Sequence, residues 1–180
     1  MDVGEEIRRK AATLQTVLMK TGSGVKWVDE DAMHVTLLFL GEVDDRELVT
    51  VCQAVKKAAA RESSFPLRVS GVGAFPTLRR PKVIWGGITD GAEPLRRLYE
   101  LLETKLLDAG LYRREERGYT PHITLGRMKS EADGLALAPE LAKHLAWDGG
   151  RTTVNELLVF SSEQRRNGPE YAVLARSELT

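Results

Sequence analysis

The phrase Met33-His34-Val35-Thr36-Leu37-Leu38-Phe39-Leu40 recurs, almost unchanged at its centre, in Tyr119-Thr120-Pro121-His122-Ile123-Thr124-Leu125-Gly126-Arg127. Only three histidines occur in the chain, so two in matching surroundings are hard to ascribe to packing. β-Branched and aliphatic residues running into a glycine, Gly41 in one case and Gly126 in the other, predict a strand for each phrase. On a strand alternate side chains share a face. His34 then lies beside Thr36, and His122 beside Thr124, while Val35, Leu37, Ile123 and Leu125 point the other way.

Working outward, the pattern predicts the same plan twice. A helix is expected over Glu5–Lys20, with Ile7, Ala11, Leu14 and Leu18 on one side. A short strand over Val25–Val28 precedes the first histidine strand, Met33–Leu40. Asp44 or Asp45 can cap a helix reaching Arg61. Strands over Leu67–Phe75 and Val83–Thr89 follow, joined by a loop from Pro76 to Pro81. A helix opening at Asp90 or Gly91 carries Leu95, Leu98, Leu102 and Leu106 inward and ends at Gly110. The second histidine strand is expected over Tyr119–Arg127, a helix over Pro139–Ala146, and strands over Thr152–Phe160 and Tyr171–Arg176. Asn167-Gly168-Pro169 marks the turn between the last two. The two turns carry basic pairs, Arg79/Arg80 and Arg165/Arg166.

An internal duplication accounts for this repetition. Strands joined by hairpins pair antiparallel, so the expected class is α+β and not doubly wound. The expected architecture is bilobal: duplicated helix/strand halves, with mainly antiparallel sheets around a central cleft. No Gly/Ser-rich or Pro-rich linker divides the halves. Residues 1–180 are therefore read as a single domain, with lobes of approximately 1–89 and 90–180.

Composition narrows the function. Hydrophobic residues at 42% and charged residues at 29% describe a soluble globular chain. No apolar run approaches the roughly 20 residues a membrane span needs, so no membrane partner is expected. The charged N-terminus lacks a signal core, which makes the cytoplasm the expected location. With 26 basic and 26 acidic residues the net charge is zero, which argues against a grip on duplex DNA by counterion release. A few local arginines can still hold a small anion or an RNA end. Cys52, the one cysteine, sits on the apolar side of a helical pattern with Leu48, Val51 and Val55, and reads as a buried small hydrophobe. A monomer is expected.

Two imidazoles suit the hydrolysis of a cyclic phosphodiester. With an ordinary pKa of about 6.5, one can take a proton from water while the other gives one to the departing oxygen. Thr36 and Thr124 hydroxyls can donate hydrogen bonds to the non-bridging oxygens, and Arg127 can add a charged contact. No metal is needed. The chain lacks CxxC and HExxH, and His144 stands in what reads as a helix end, Lys143-His144-Leu145-Ala146-Trp147. No P-loop or GxGxxG points to a nucleotide cofactor, so no cofactor is expected.

The paired phrases resemble the motifs of the 2H phosphoesterase superfamily. The longer MHVTLLFLGEV and YTPHITLGR are similar to its branch of RNA 2′,3′-cyclic phosphodiesterases, formerly called 2′-5′ RNA ligases. Trp27-Val28, Gly73-Ala74-Phe75-Pro76, Val83-Ile84-Trp85-Gly86-Gly87 and Gly168-Pro169-Glu170-Tyr171 extend the likeness over nearly the whole chain. The resemblance implies metal-independent hydrolysis of terminal RNA or nucleoside 2′,3′-cyclic phosphates to 2′-phosphates, so the partners would be RNA ends or 2′,3′-cyclic nucleotides. It implies His34 as general acid toward O3′ and His122 as general base, with Thr36, Thr124 and Arg127 on the phosphate. Phe75 or Tyr119 is a candidate to stack on a base. Reversible 2′-5′ ligation in the same site, and nucleotide binding without turnover, are the alternative readings. In one respect the chain departs from the family. Members usually begin with a strand before the first helix, whereas only Met1-Asp2-Val3 precedes Gly4, which predicts an unpaired sheet edge beside the cleft.

Overall fold

A computed structural model of the chain describes residues 1–114, 118–165 and 168–180. Eleven elements are named here in chain order. They are α1 (Gly4–Met19), β1 (Val25–Trp27), α2 (Asp45–Ala59), β2 (Phe65–Thr77), β3 (Arg80–Ile88), α3 (Ala92–Asp108), β4 (His122–Met128), α4 (Glu131–Leu141), β5 (Asp148–Val154), β6 (Glu156–Arg165) and β7 (Gly168–Glu178). Arg166 and Asn167, read above as part of the second basic turn, lie outside the described residues. Every strand pairing is antiparallel. Among the described residues no helix is long and apolar enough to cross a membrane.

Five strands form one sheet in the order β1-β4-β3-β2-β5, and β6 with β7 forms a second. The large sheet thus draws strands from both halves of the sequence. One face is covered by α1 and α4. Ile7, Ala11, Leu14 and Leu18 of α1, with Leu137 and Leu141 of α4, are buried among Ile84, Ile123 and Leu125. α2 packs on the two-stranded sheet and against α3. The leucines expected to point inward from α3 are all buried, and Asp44 closes a capping box with Glu47 at the start of α2.

Several boundaries differ from the sequence reading, each for a local reason. The first histidine segment is not a strand over Met33–Leu40. It makes only isolated bridges, Asp2 with His34 and Val35 with Ile123. β3 occupies one edge of β4, and β1 takes Gly126–Met128 on the other. A 3-10 turn at Glu30–Ala32 then brings the chain back to what remains of that edge. Pro121, which has no N–H to pair, stands just before β4. One bridge is all the edge can accept.

The fourth helix begins at Glu131 and not at Pro139, because Ser130 caps it by accepting from the Asp133 amide at 3.1 Å. Pro139 lies inside that helix. The strand expected over Thr152–Phe160 is two strands: the chain leaves the large sheet after Val154 and enters the small one at Glu156. The loop between β2 and β3 is a tight turn, with Thr77 paired to Arg80.

The expected bare edge near the N-terminus is covered. Met1 donates to the Val35 carbonyl at 2.9 Å, the Val35 amide returns a bond to Met1 at 3.0 Å, and Met1 and Val3 are buried. Cys52 is half-buried and not buried, while Val51, Ala54, Val55, Ala58 and Ala59 form the inner face of α2.

Candidate active site

The bridge between Val35 and Ile123 brings the two repeated phrases together. Both of these residues are buried on the helix-covered face. Carried one residue to each side of this single bridge, antiparallel geometry puts His34 opposite Thr124 and Thr36 opposite His122, on the face away from Val35 and Ile123. The two imidazoles are diagonal neighbours in this arrangement, as are the two threonines. Diagonal positions of an antiparallel pair stand about 7–8 Å apart, a spacing that leaves room for one small anion between the side chains.

Arg127 joins them through a β-bulge. In β4 Thr124 pairs with Trp85 and Gly126 with Ile84, so Leu125 is an extra residue. The extra residue shifts the alternation by one. Arg127, paired with Val83, therefore faces the same way as His122, Thr124 and Trp85, where strict alternation would have turned it into the helices. Gln15 of α1 holds the bulge. Its buried amide donates to the Val28 carbonyl at 2.8 Å and to the Leu125 carbonyl at 2.9 Å.

The two histidines are seated alike. Nδ1 of His34 lies 2.8 Å from the Ala32 carbonyl, and Nδ1 of His122 lies 2.7 Å from the Thr120 carbonyl. A carbonyl only accepts, so Nδ1 carries the proton in both and Nε2 is left for the cleft. Two aromatic rings flank each imidazole, in both cases from the opposite half of the chain. Phe160 and Tyr171 stand 5.8 and 5.0 Å from His34, while Phe75 and Trp85 stand 5.2 and 6.2 Å from His122, centroid to centroid. Burial against these rings lowers the pKa of both histidines. The N-terminal ammonium and His122 press His34 further down, and Arg127 does the same to His122, each against the opposing pull of the backbone carbonyl.

The LigT-like phosphoesterase family model matches residues 2–85 and again 88–171, once for each half. The chain belongs to the LigT-like phosphoesterase family. Among curated relatives of this phosphoesterase, the RNA 2′,3′-cyclic phosphodiesterase of Thermotoga maritima is 33% identical over 97% of this chain and 90% of its own length. The protein of the same name from Aeropyrum pernix is 32% identical over 92% of each. The solved structure of TT0787 of Thermus thermophilus superimposes with a TM-score of 0.80 at 28% identity, covering 98% of this chain and 93% of that one. E. coli LigT complexed with 3′-AMP gives 0.81 at 26% identity, covering 100% and 95%.

The five residues read from the sequence, His34, Thr36, His122, Thr124 and Arg127, thus share one face of this LigT-like phosphoesterase. The two aromatic candidates are otherwise engaged. Phe75 stands edge-on to His122, at 83° between ring planes. Tyr119 stacks on Tyr99 at 4.5 Å and donates its hydroxyl to the Thr36 carbonyl at 3.1 Å, so it braces the first phrase. His144 lies in the 3-10 turn after α4, with Nε2 3.4 Å from Glu140. Arg80 is 3.7 Å from Glu131. The sequence reading missed Gln15, because an amide in a helical pattern looks like any surface residue. It also missed the rings around His34, because their pairing crosses between halves.

Proposed function

We propose that this chain hydrolyses terminal 2′,3′-cyclic phosphates of RNA or of nucleosides to 2′-phosphates, without a metal, using His34 and His122 as the acid/base pair. The observation that carries this reading is the Val35–Ile123 bridge, which joins the two His-x-Thr phrases, with Nδ1 of each imidazole held by a backbone carbonyl so that Nε2 is the nitrogen left for chemistry. His122 Nε2 takes a proton from water as the water oxygen bonds to phosphorus. The P–O3′ bond breaks on the far side, and O3′ takes the proton of the His34 imidazolium, leaving a 2′-phosphate and a 3′-hydroxyl. Thr36 and Thr124 hydroxyls, which bond no other group among the described residues, donate to the non-bridging oxygens, and Arg127 stabilises the charge that develops there.

The names of the relatives, and the 3′-AMP held by E. coli LigT, support a nucleotide in this cleft. Because strands of both halves interleave in one sheet, residues 1–180 act as one domain, monomeric and cytoplasmic in this reading. The test is turnover of 2′,3′-cyclic AMP in EDTA, with 3′,5′-cyclic AMP as the control and the product resolved as 2′- or 3′-phosphate. His34→Ala and His122→Ala should each lower kcat by about 10²-fold or more. Unchanged rates in both variants would end the proposal.

A further inference from the structure

We infer that a phosphate track leads out of this site along β4 onto β1, where Lys26, Arg127 and Lys129 grip an RNA strand on the 5′ side of its cyclic end. The inference rests on the cyclic phosphodiesterase reading of the site and extends it to the length of the substrate. Its basis is the strand register. Lys26 stands directly opposite Arg127, both are exposed, and neither forms an ion pair among the described residues. Like charges in directly opposed positions of a sheet repel. Elsewhere the large sheet answers such a pair with an acid: Arg68 faces Arg151, and Asp148 lies 3.5 Å from the Arg68 guanidinium.

The bulge at Leu125 decides where these cations point. By turning Arg127 onto the face of His122 and Thr124, it carries the directly paired Lys26 onto that face as well. Lys129 follows directly after the end of β4 and is exposed, with its amide bonded to the Gly24 carbonyl at 2.9 Å. Asp133 feels the charge of Lys129, but its carboxylate is taken by the Gly24 amide at 2.6 Å and the Ser130 hydroxyl. Two cations on adjoining strands and a third just past the end of β4, beginning at the proposed phosphate site, match the repeating phosphates of a single strand. The chain has no net charge to attract nucleic acid at large, so any such attraction must be local.

The experiment compares 2′,3′-cyclic AMP with a short oligoribonucleotide ending in a 2′,3′-cyclic phosphate, using Lys26→Gln, Lys129→Gln and the double variant. The mononucleotide, which carries only the terminal phosphate, should keep its kcat/KM within about twofold in all three. For the oligoribonucleotide the double variant should lose roughly fivefold or more in kcat/KM, with the log–log salt slope less steep by about 0.7 per lysine removed. Binding of a labelled oligoribonucleotide ending in a 2′-phosphate reads the same slope without turnover. Wild-type slopes and rates in the double variant would overturn the track. Failure of the wild-type protein to turn over 2′,3′-cyclic AMP would count instead against the proposed chemistry, and the binding slopes would still decide the track.

Discussion

Nδ1 of each imidazole is tied to the carbonyl two residues back, and this tie fixes the tautomer, leaving Nε2 as the unprotonated nitrogen of the neutral ring without a carboxylate partner. In place of a carboxylate, each ring has aromatic neighbours, whose burial lowers its pKa below the ordinary value. The sign for catalysis follows. The proposed mechanism takes His122 neutral and His34 protonated, so kcat/KM rises through the pKa of the base and falls through that of the acid. With both lowered, the kcat/KM maximum for 2′,3′-cyclic AMP should lie below about pH 6.5. Bound phosphate favours imidazolium, so the kcat maximum should lie higher. A kcat/KM maximum above about pH 7.5 would be incompatible with two depressed imidazoles. The proposed acid/base pair was legible in the sequence because one pattern occurred twice. The rings that tune them were not, since Phe160 and Tyr171 reach His34 from the far end of the chain.

At the scale of elements, the decisive feature is one that alternation alone cannot show. A strict period of two would send Arg127 into the helices, and the extra residue Leu125 returns it to the face of His122 and Thr124. Gln15 bonds the carbonyls of Leu125 and Val28 from the buried side of α1, so the bulge depends on a residue far from it in sequence. Gln15→Leu should leave the Val28 carbonyl without that donor and cost about 1–3 kcal/mol in denaturant unfolding. It should also raise KM more than it lowers kcat, because the phosphate contact proposed for Arg127 loosens while the histidines stay seated. Wild-type stability and KM in that variant would remove Gln15 from this role. Close packing around Trp85 has the same logic. A Cβ on Gly73 would stand 2.2 Å from the Trp85 ring. Gly73→Ala should displace the ring, change the intrinsic tryptophan fluorescence, and destabilise by about 1–3 kcal/mol. The strands and helices themselves were readable from period and caps. The misread boundaries lie where that period is overridden: by competition for one edge, as the first histidine segment meets with β1, or by a cap such as Ser130.

For the whole molecule, the order β1-β4-β3-β2-β5 determines what can fold alone. β4, from the second half, lies between β1 and β3 of the first, and β5 pairs with β2. A fragment of residues 1–89 would keep the β2–β3 hairpin but lose the strand that joins it to β1. It would also bare both long edges and leave the inner face of α1 without Ile123 and Leu125. A fragment of residues 90–180 would keep the β6–β7 hairpin but hold β4 and β5 with no strand between them. Each site histidine would lose the aromatic pair that the other half supplies. The two fragments made separately should therefore show no cooperative thermal transition by circular dichroism and no turnover of 2′,3′-cyclic AMP, whereas co-expressed fragments should recover part of both. A sharp transition in either fragment alone would mean that the interleaved sheet is not what holds the halves together.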